Sequence, residues 1–166
     1  PRLTQALHEL DRFPITEHLN GAVDAVRRGE ISRLNAAGTT SAAKLKKMRW
    51  NLLKKSSRVR GKARQRLNSL LASKLSTARA WMLKESFQHF WTYRSVTWAS
   101  KFMAAWTERA MRSRLAPMKK IAQMLRRHEP LILNWFRAKG EISSGPVEGL
   151  NNKIRVVTKR AYGFRT

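Results

Sequence analysis

From Glu30 to Glu85 the chain has no acidic residue, while Lys44, Lys46, Lys47, Arg49, Lys54, Lys55, Arg58, Arg60, Lys62, Arg64 and Arg66 crowd the interval. Neighbours of the same sign cannot neutralise one another. Any fold must therefore turn these side chains outward, into water or against a polyanion, around a core built elsewhere. The whole chain repeats the imbalance: 35 Lys plus Arg against 10 Asp plus Glu give a formal charge of +25 over 166 residues. That length allows one domain with a modest core. Each phosphate neutralised adds about 0.9 to the salt slope of duplex binding, so engaging even part of the cluster predicts steeply salt-sensitive affinity. Nucleic acid is the natural partner; the alternative is a solvated basic face with no specific partner.

Apolar residues recur at helical spacing along almost the whole chain. After Pro14, the positions Ile15, Leu19, Ala22, Val23, Val26 and Leu34 predict a first helix ending near Gly38. Leu45, Met48 and Leu52 predict a basic helix, followed by a break around Ser56-Ser57 and Gly61. Leu67, Leu70, Leu71 and Leu75 predict a helix that runs with little interruption into the stretch bearing Trp81, Phe87, Phe90 and Trp91. Trp98, Phe102, Ala105 and Trp106 form the next stripe. After Pro117 come Ile121, Met124, Leu125, Leu131, Ile132, Trp135 and Phe136, a series that Pro130 should kink or divide. The expected fold class is mainly α, with little or no sheet; Ala6 to Leu10, the approach to Asp11, leaves one strand end open.

Trp81, Trp91, Trp98 and Trp106 sit among apolar residues at helical spacing, which predicts helix packing over base stacking. Trp50, beside Arg49 in the basic run, is the exception and a candidate DNA contact. His18, His89 and His128 lack metal-ligand spacing, and His8 is close to Asp11 only in sequence. Cysteine is absent, so there is no disulfide framework and no Cys-based zinc site. The opening Pro1-Arg2-Leu3-Thr4 has neither an initiator methionine nor an apolar signal-peptide core. No stretch approaches the about 18 to 20 apolar residues of a membrane span. A basic amphipathic segment lying on an anionic membrane is disfavoured by the series of short Trp-rich helices, which together can bury a core.

The most specific string is near the end: Gly145-Pro146-Val147-Glu148-Gly149-Leu150-Asn151-Asn152-Lys153-Ile154-Arg155, continuing to Lys159-Arg160-Ala161-Tyr162-Gly163-Phe164-Arg165. On a helix with Pro146 at its first position and Gly163 just past its end, Val147, Leu150, Ile154, Val157 and Ala161 form one stripe. Glu148, Asn152, Arg155 and Lys159 form the opposite one. Glu148 falls in the first turn, where free amides and the helix dipole favour the ionised carboxylate that a hard divalent cation needs. The alternative is an ordinary N-terminal helix glutamate, although Gly145 in place of Ser or Thr leaves a capping box incomplete.

This string resembles the signature of the ISL-three family of insertion-sequence transposases, DNA-strand-transfer enzymes of the RNase H-like, acidic-triad (DDE) class. A second segment, Asp11-Arg12-Phe13 with Ile15 and His18-Leu19-Asn20-Gly21-Ala22-Val23-Asp24, is similar to the family's D-[RK]-F-H-x-x-x-H-L block. Ala78-Arg79-Ala80-Trp81, Lys84-Glu85 and Phe90-Trp91 match more loosely. The resemblance implies that Asp11 and Glu148 are the second and third catalytic carboxylates and metal ligands. Pro14 stands where the family usually has histidine, so any role of that imidazole is lost. The family's first catalytic aspartate has no counterpart here, since the other aspartate, Asp24, belongs to the helical pattern.

What the resemblance implies for architecture is a fragment of an RNase H-like catalytic domain dominated by an all-helical insertion. Residues 1–24 would end the core segment, 25–142 form the insertion, and 143–166 hold the last catalytic helix. Mg²⁺ or Mn²⁺, two ions in the complete enzyme, would serve metal-dependent cleavage and transfer of DNA at insertion-sequence ends. Asn151, Asn152, Lys153, Arg155, Lys159, Arg160, Lys46, Lys47 and Arg49 would contact DNA. The expected partners are transposon ends, target DNA and further copies of the chain, in the prokaryotic cytoplasm at the nucleoid and not at a membrane. Without the first aspartate the fragment alone is expected to be inactive. The rival reading is a non-catalytic, helical, basic nucleic-acid-binding module in which Glu148 is structural.

Overall fold

The computed structural model describes residues 12–141, with side chains described to 137. The described part is mainly α, as expected, with no strand among the described residues. In chain order it comprises α1 (Arg12–Ala36), α2 (Ser41–Lys46), α3 (Arg49–Leu53), a 3₁₀ turn (Ser56–Arg58) and α4 (Gly61–Leu71). Then come α5 (Ser76–Phe87), a second 3₁₀ turn (Gln88–Thr92), α6 (Val96–Arg112), α7 (Ala116–Arg127) and α8 (Glu129–Glu141). The approach to Asp11 lies outside the described residues.

Helix α1 is the spine, packing against α2, α3, α5 and α7. Ile15, Leu19, Ala22, Val23 and Val26 are buried along it, as their spacing predicts. Pro14 occupies its first turn, where the missing N–H has no intrahelical partner to lose. The helix stops as the sequence predicts. Gly38 takes φ +67, its N–H donates to Asn35 O at 3.0 Å, and Thr39 N–H donates to Leu34 O at 3.0 Å. This paired pattern needs a left-handed residue, and glycine adopts it without a Cβ penalty. The expected junction between 1–24 and 25–142 falls inside α1, which runs through it unbroken.

Pro130 divides the last series in two: α7 ends at Arg127, His128 leaves the helix, and Pro130 is the second residue of α8. The break around Ser56 and Gly61 is present as the first 3₁₀ turn and a start of α4 at Gly61 with φ +56. Two expectations fail. The single basic helix over Leu45 to Leu52 is split into α2 and α3 at Lys47 and Met48. The run from Leu67 toward Trp81 is interrupted at Ser73, whose hydroxyl donates to Leu70 O and accepts from Leu75 N–H. Ser113 ends α6 in the same way, donating to Ala110 O and accepting from Leu115 N–H. In both places a Ser-[Lys/Arg]-Leu triplet offers the backbone a hydroxyl instead of the next helical turn, and a new helix starts after the leucine.

The largest apolar concentration lies where α5, the second 3₁₀ turn, α6 and α8 meet. Phe87 meets Trp106 edge-on at 4.9 Å and Phe90 at 5.1 Å. Phe90 meets Phe136 at 5.0 Å, and Trp91 meets Trp135 at 5.2 Å. The Trp106 indole N–H donates to Leu83 O and to Ser86 Oγ, at 3.0 and 3.1 Å, so its polar edge is satisfied. Rings of this kind bury about 150–250 Å² each, worth about 4–6 kcal/mol apiece. The phase of α6 departs from expectation: its buried stripe is Ala99, Met103, Trp106 and Ala110, which turns Trp98 and Ala105 outward.

Candidate nucleic-acid interface

The surface charge is set by where the few acids go. Asp24 on α1 gathers Arg27 at 2.7 Å, Arg28 at 3.3 Å and Arg49 at 3.7 Å. Glu30, also on α1, is buried and accepts from Ser76 N–H and Thr77 N–H at 2.8 Å and from Thr77 Oγ1 at 2.6 Å. It thereby caps the start of α5 from a distant part of the chain, meeting amides that have no helical partner. Burial pushes its carboxyl up, but the Thr77 and Ser76 hydrogen bonds and Arg33 outweigh this and hold it below its ordinary value.

Glu85 accepts from Ser56 N–H at 3.2 Å and lies 3.5 Å from the buried Lys84 ammonium. That ammonium donates to Leu52 O and Lys54 O at the end of α3, where a cation complements the carbonyl end of a helix. Burial pulls the Lys84 pKa down, opposed by Glu85. Lys84 and Glu85 thus fasten the backbone of the basic segment to α5.

With Glu30 buried and Asp24 and Glu85 half-buried, ion pairs among the described residues engage Arg27, Arg28, Arg33, Arg49, Lys84 and Arg112. Lys46, Lys47, Lys54, Lys55, Arg58 and Arg60 are exposed and enter none of those pairs. Exposed cations without acidic partners are the footprint expected of a polyanion-binding segment.

Three of the sequence-predicted DNA contacts lie on this surface and around one turn. Lys46 closes α2, Lys47 follows it, and Arg49 opens α3. The Arg49 guanidinium lies over the Trp50 ring at 5.2 Å, and Trp50 is 67% exposed. This exposed indole with a cation on it has the form of a stacking platform beside exposed cations. Trp81, Trp91 and Trp106 are buried as predicted, but Trp98 is 60% exposed with Lys101 Nζ 4.8 Å from its ring centre. The packing expectation for Trp98 is corrected: the α6 stripe starts one residue later, at Ala99.

Asp11, Glu148, Asn151, Asn152, Lys153, Arg155, Lys159 and Arg160 lie outside the described residues. Among the described residues no group of three or more His, Cys, Asp or Glu could hold a metal ion, and no helix is long and apolar enough to cross a membrane. Sequence reasoning missed the roles of Glu30 and Lys84, because their partners are distant in the chain and carry no local signal.

Comparison with known proteins places this surface in context. Residues 2–166 match the ISL-three-type family described as "Transposase". The chain is 31% identical over 121 residues to the transposase for insertion sequence element IS1001 of Bordetella parapertussis, covering 73% of this chain and 29% of that protein. It is 27% identical over 129 residues to the transposase for insertion sequence element IS1557 of Mycobacterium tuberculosis, covering 78% of this chain and 28% of that protein. The chain therefore spans less than a third of the length of these curated relatives. No solved structure matches it. The chain belongs to the ISL-three family of insertion-sequence transposases.

Proposed function

We propose that this chain is part of the catalytic domain of a DNA transposase of the DDE, RNase H-like class, and that its described helices are a helical insertion that holds DNA beside the catalytic carboxylates. The observation that carries the reading is that Glu30 and Glu85 are used as hydrogen-bond acceptors within the fold, away from the basic turn of Lys46, Lys47 and Arg49, whose side chains are exposed. The family match supports the reaction, cleavage and transfer of strands at insertion-sequence ends.

In this reading Asp11 and Glu148 are two members of the acidic set, and a further aspartate comes from outside the 166 residues. The 166-residue chain alone is then inactive. Their hard carboxylate oxygens suit Mg²⁺ or Mn²⁺, and two ions, when bound, supply activation of water or a 3′-hydroxyl and stabilisation of the leaving oxygen. The chain's own residues position the strand. Lys153, Arg155, Lys159 and Arg160, with Asn151 and Asn152, bind phosphates next to the carboxylates, while Lys46, Lys47 and Arg49 bind phosphates farther along.

Helix α1 links the two regions. Asp11 directly precedes it in sequence, and Arg49 returns to it through Asp24. The partners are transposon ends, target DNA and further copies of the chain, at the nucleoid of a prokaryotic cytoplasm.

The test is Glu148→Gln in the complete transposase. Divalent-metal-dependent strand cleavage should disappear while binding to transposon-end DNA persists. Undiminished cleavage would overturn the assignment of Glu148, and absence of any cleavage by the unaltered complete protein would favour a non-catalytic binding module.

A further inference from the structure

A cleft of about 530 Å³ opens between α2 and α4. We propose that it receives one unpaired nucleotide of a DNA strand; the proposal rests on the reading of the chain as a DNA-binding transposase segment and adds a specific substrate feature to it.

The floor of the cleft is apolar, formed by Leu45, Met48 and Leu70, all buried. Its rim carries Lys44, Lys47 and Arg66, all exposed. Among the described residues none of these three enters an ion pair and no acidic side chain lines the cleft, and the sequence offers none between Glu30 and Glu85. The occupant must therefore combine a surface that gains from leaving water with at least one negative charge. A nucleotide has both, a flat base for the floor and a phosphate for the rim.

Size narrows the choice further. Pockets of about 300–1,000 Å³ enclose a single small molecule, and the cleft falls within that range, room enough for one nucleotide. A base that enters must leave its stack, and the apolar floor replaces part of the lost stacking. Ser69, also on the lining, donates its hydroxyl to Gln65 O at 3.0 Å and so presents lone pairs to an amino or imino group of the base.

The experiment uses the complete transposase and three probes: a fully paired duplex, the same duplex with one bulged 2-aminopurine, and the free mononucleotide. The bulged duplex should bind about tenfold more tightly than the paired one, the gain expected from about 55 Å² of apolar burial at about 25 cal/mol per Å², with a 2-aminopurine fluorescence change on binding. Ser69→Leu, which narrows the cleft while keeping its cations and adds no ring for a base to stack on, should abolish that preference. Lys44→Gln with Arg66→Gln should weaken the bulged probe more than the paired one.

Equal binding of bulged and paired duplex by the unaltered protein overturns the proposal, as does a preference that survives Ser69→Leu with unchanged thermal unfolding. A free mononucleotide that occupies the cleft while bulged DNA does not would also overturn it, identifying a soluble nucleotide as the occupant. Failure to bind any DNA probe would instead remove the functional reading on which the proposal stands.

Discussion

The two halves of this molecule are held by different forces. Where α5, α6 and α8 meet, ring packs on ring, and Phe87, Phe90, Trp91, Trp106 and Phe136 are all buried. The α2 to α4 half has no such cluster: its buried apolar side chains are Ala42, Leu45, Met48, Leu52, Val59, Leu67 and Leu70, and its tryptophan is on the surface. Its attachment combines these apolar side chains, which join the common core, with a few polar pins reaching in from α1 and α5. A strongly basic chain gains from this division. The aromatic half anchors the fold with apolar area, which charge repulsion does not weaken, while the thin half exposes cations whose repulsion a polyanion relieves.

The strongest way to break the comparison is Trp106→Ala. This indole is fully buried, edge-on to Phe87, with both of its hydrogen bonds inside the protein. The loss should be about 3–5 kcal/mol of unfolding free energy, measured by urea denaturation followed through far-ultraviolet circular dichroism. A loss comparable to that of a surface substitution would mean that the aromatic half does not anchor the fold.

Next in size is Glu30→Ala. It leaves Ser76 N–H, Thr77 N–H and the Thr77 hydroxyl without their acceptor at a buried helix start, a loss of about 1–3 kcal/mol. The effect has a pH signature. Because the folded carboxyl is held below its ordinary 4.5, its contribution is complete above that value and fades as pH falls through the lower folded value. The unaltered protein should therefore lose thermal stability on acidification below 4.5, and Glu30→Ala should lose less over the same window. Parallel pH profiles for the two would exclude Glu30 as the α1 to α5 latch.

Lys84→Met sharpens the comparison further, because it removes the pin to Leu52 O and Lys54 O while keeping a long apolar stem. Burial already disfavours the charged lysine, so removing the ammonium also removes a cost and the net loss should be about 1–2 kcal/mol. Hydrogen exchange should quicken from Leu52 through the first 3₁₀ turn and stay unchanged in α6 and α7. Uniform quickening would show that the two halves open together.

The aromatic half was also the more legible in the sequence, with one instructive exception. Apolar spacing found its helices, and Pro130 and Gly38 marked two boundaries through backbone chemistry that needs no tertiary partner. The phase of α6 was misread because Trp98 and Ala105 satisfy helical spacing about as well as Ala99, Met103 and Trp106 do. Which stripe faces inward was decided by Phe87 of α5, packed edge-on against Trp106, and periodicity within α6 cannot see it. The Ser73 and Ser113 stops were visible as a repeated Ser-[Lys/Arg]-Leu triplet, but only once their hydroxyls were seen to compete with the helix. At the candidate site, exposure of Lys46, Lys47, Arg49 and Trp50 followed from their acid-free surroundings. The pins that position them did not, because Lys84 finds Leu52, and Glu85 finds Ser56, across long stretches of chain.

The smallest effect on stability should accompany the largest on binding. Lys46→Ala and Lys47→Ala each remove an exposed cation that no recorded ion pair engages, and surface changes of this kind stay within about 0.5 kcal/mol. Each should nevertheless lower the salt slope of duplex binding by about 0.9 if its ammonium neutralises one phosphate. Arg49→Ala differs from both. It frees Asp24 from one of its arginines and uncovers Trp50, so its salt slope should fall by less than 0.9, about the lysine value, because an acid already offsets part of that charge. Titrating duplex at several salt concentrations separates the three. Equal slopes for all three variants would show that the Asp24 pair does not persist against DNA, whereas a shallower change for Arg49 alone would place the Asp24 carboxylate at the boundary between the charge the fold uses and the charge it offers.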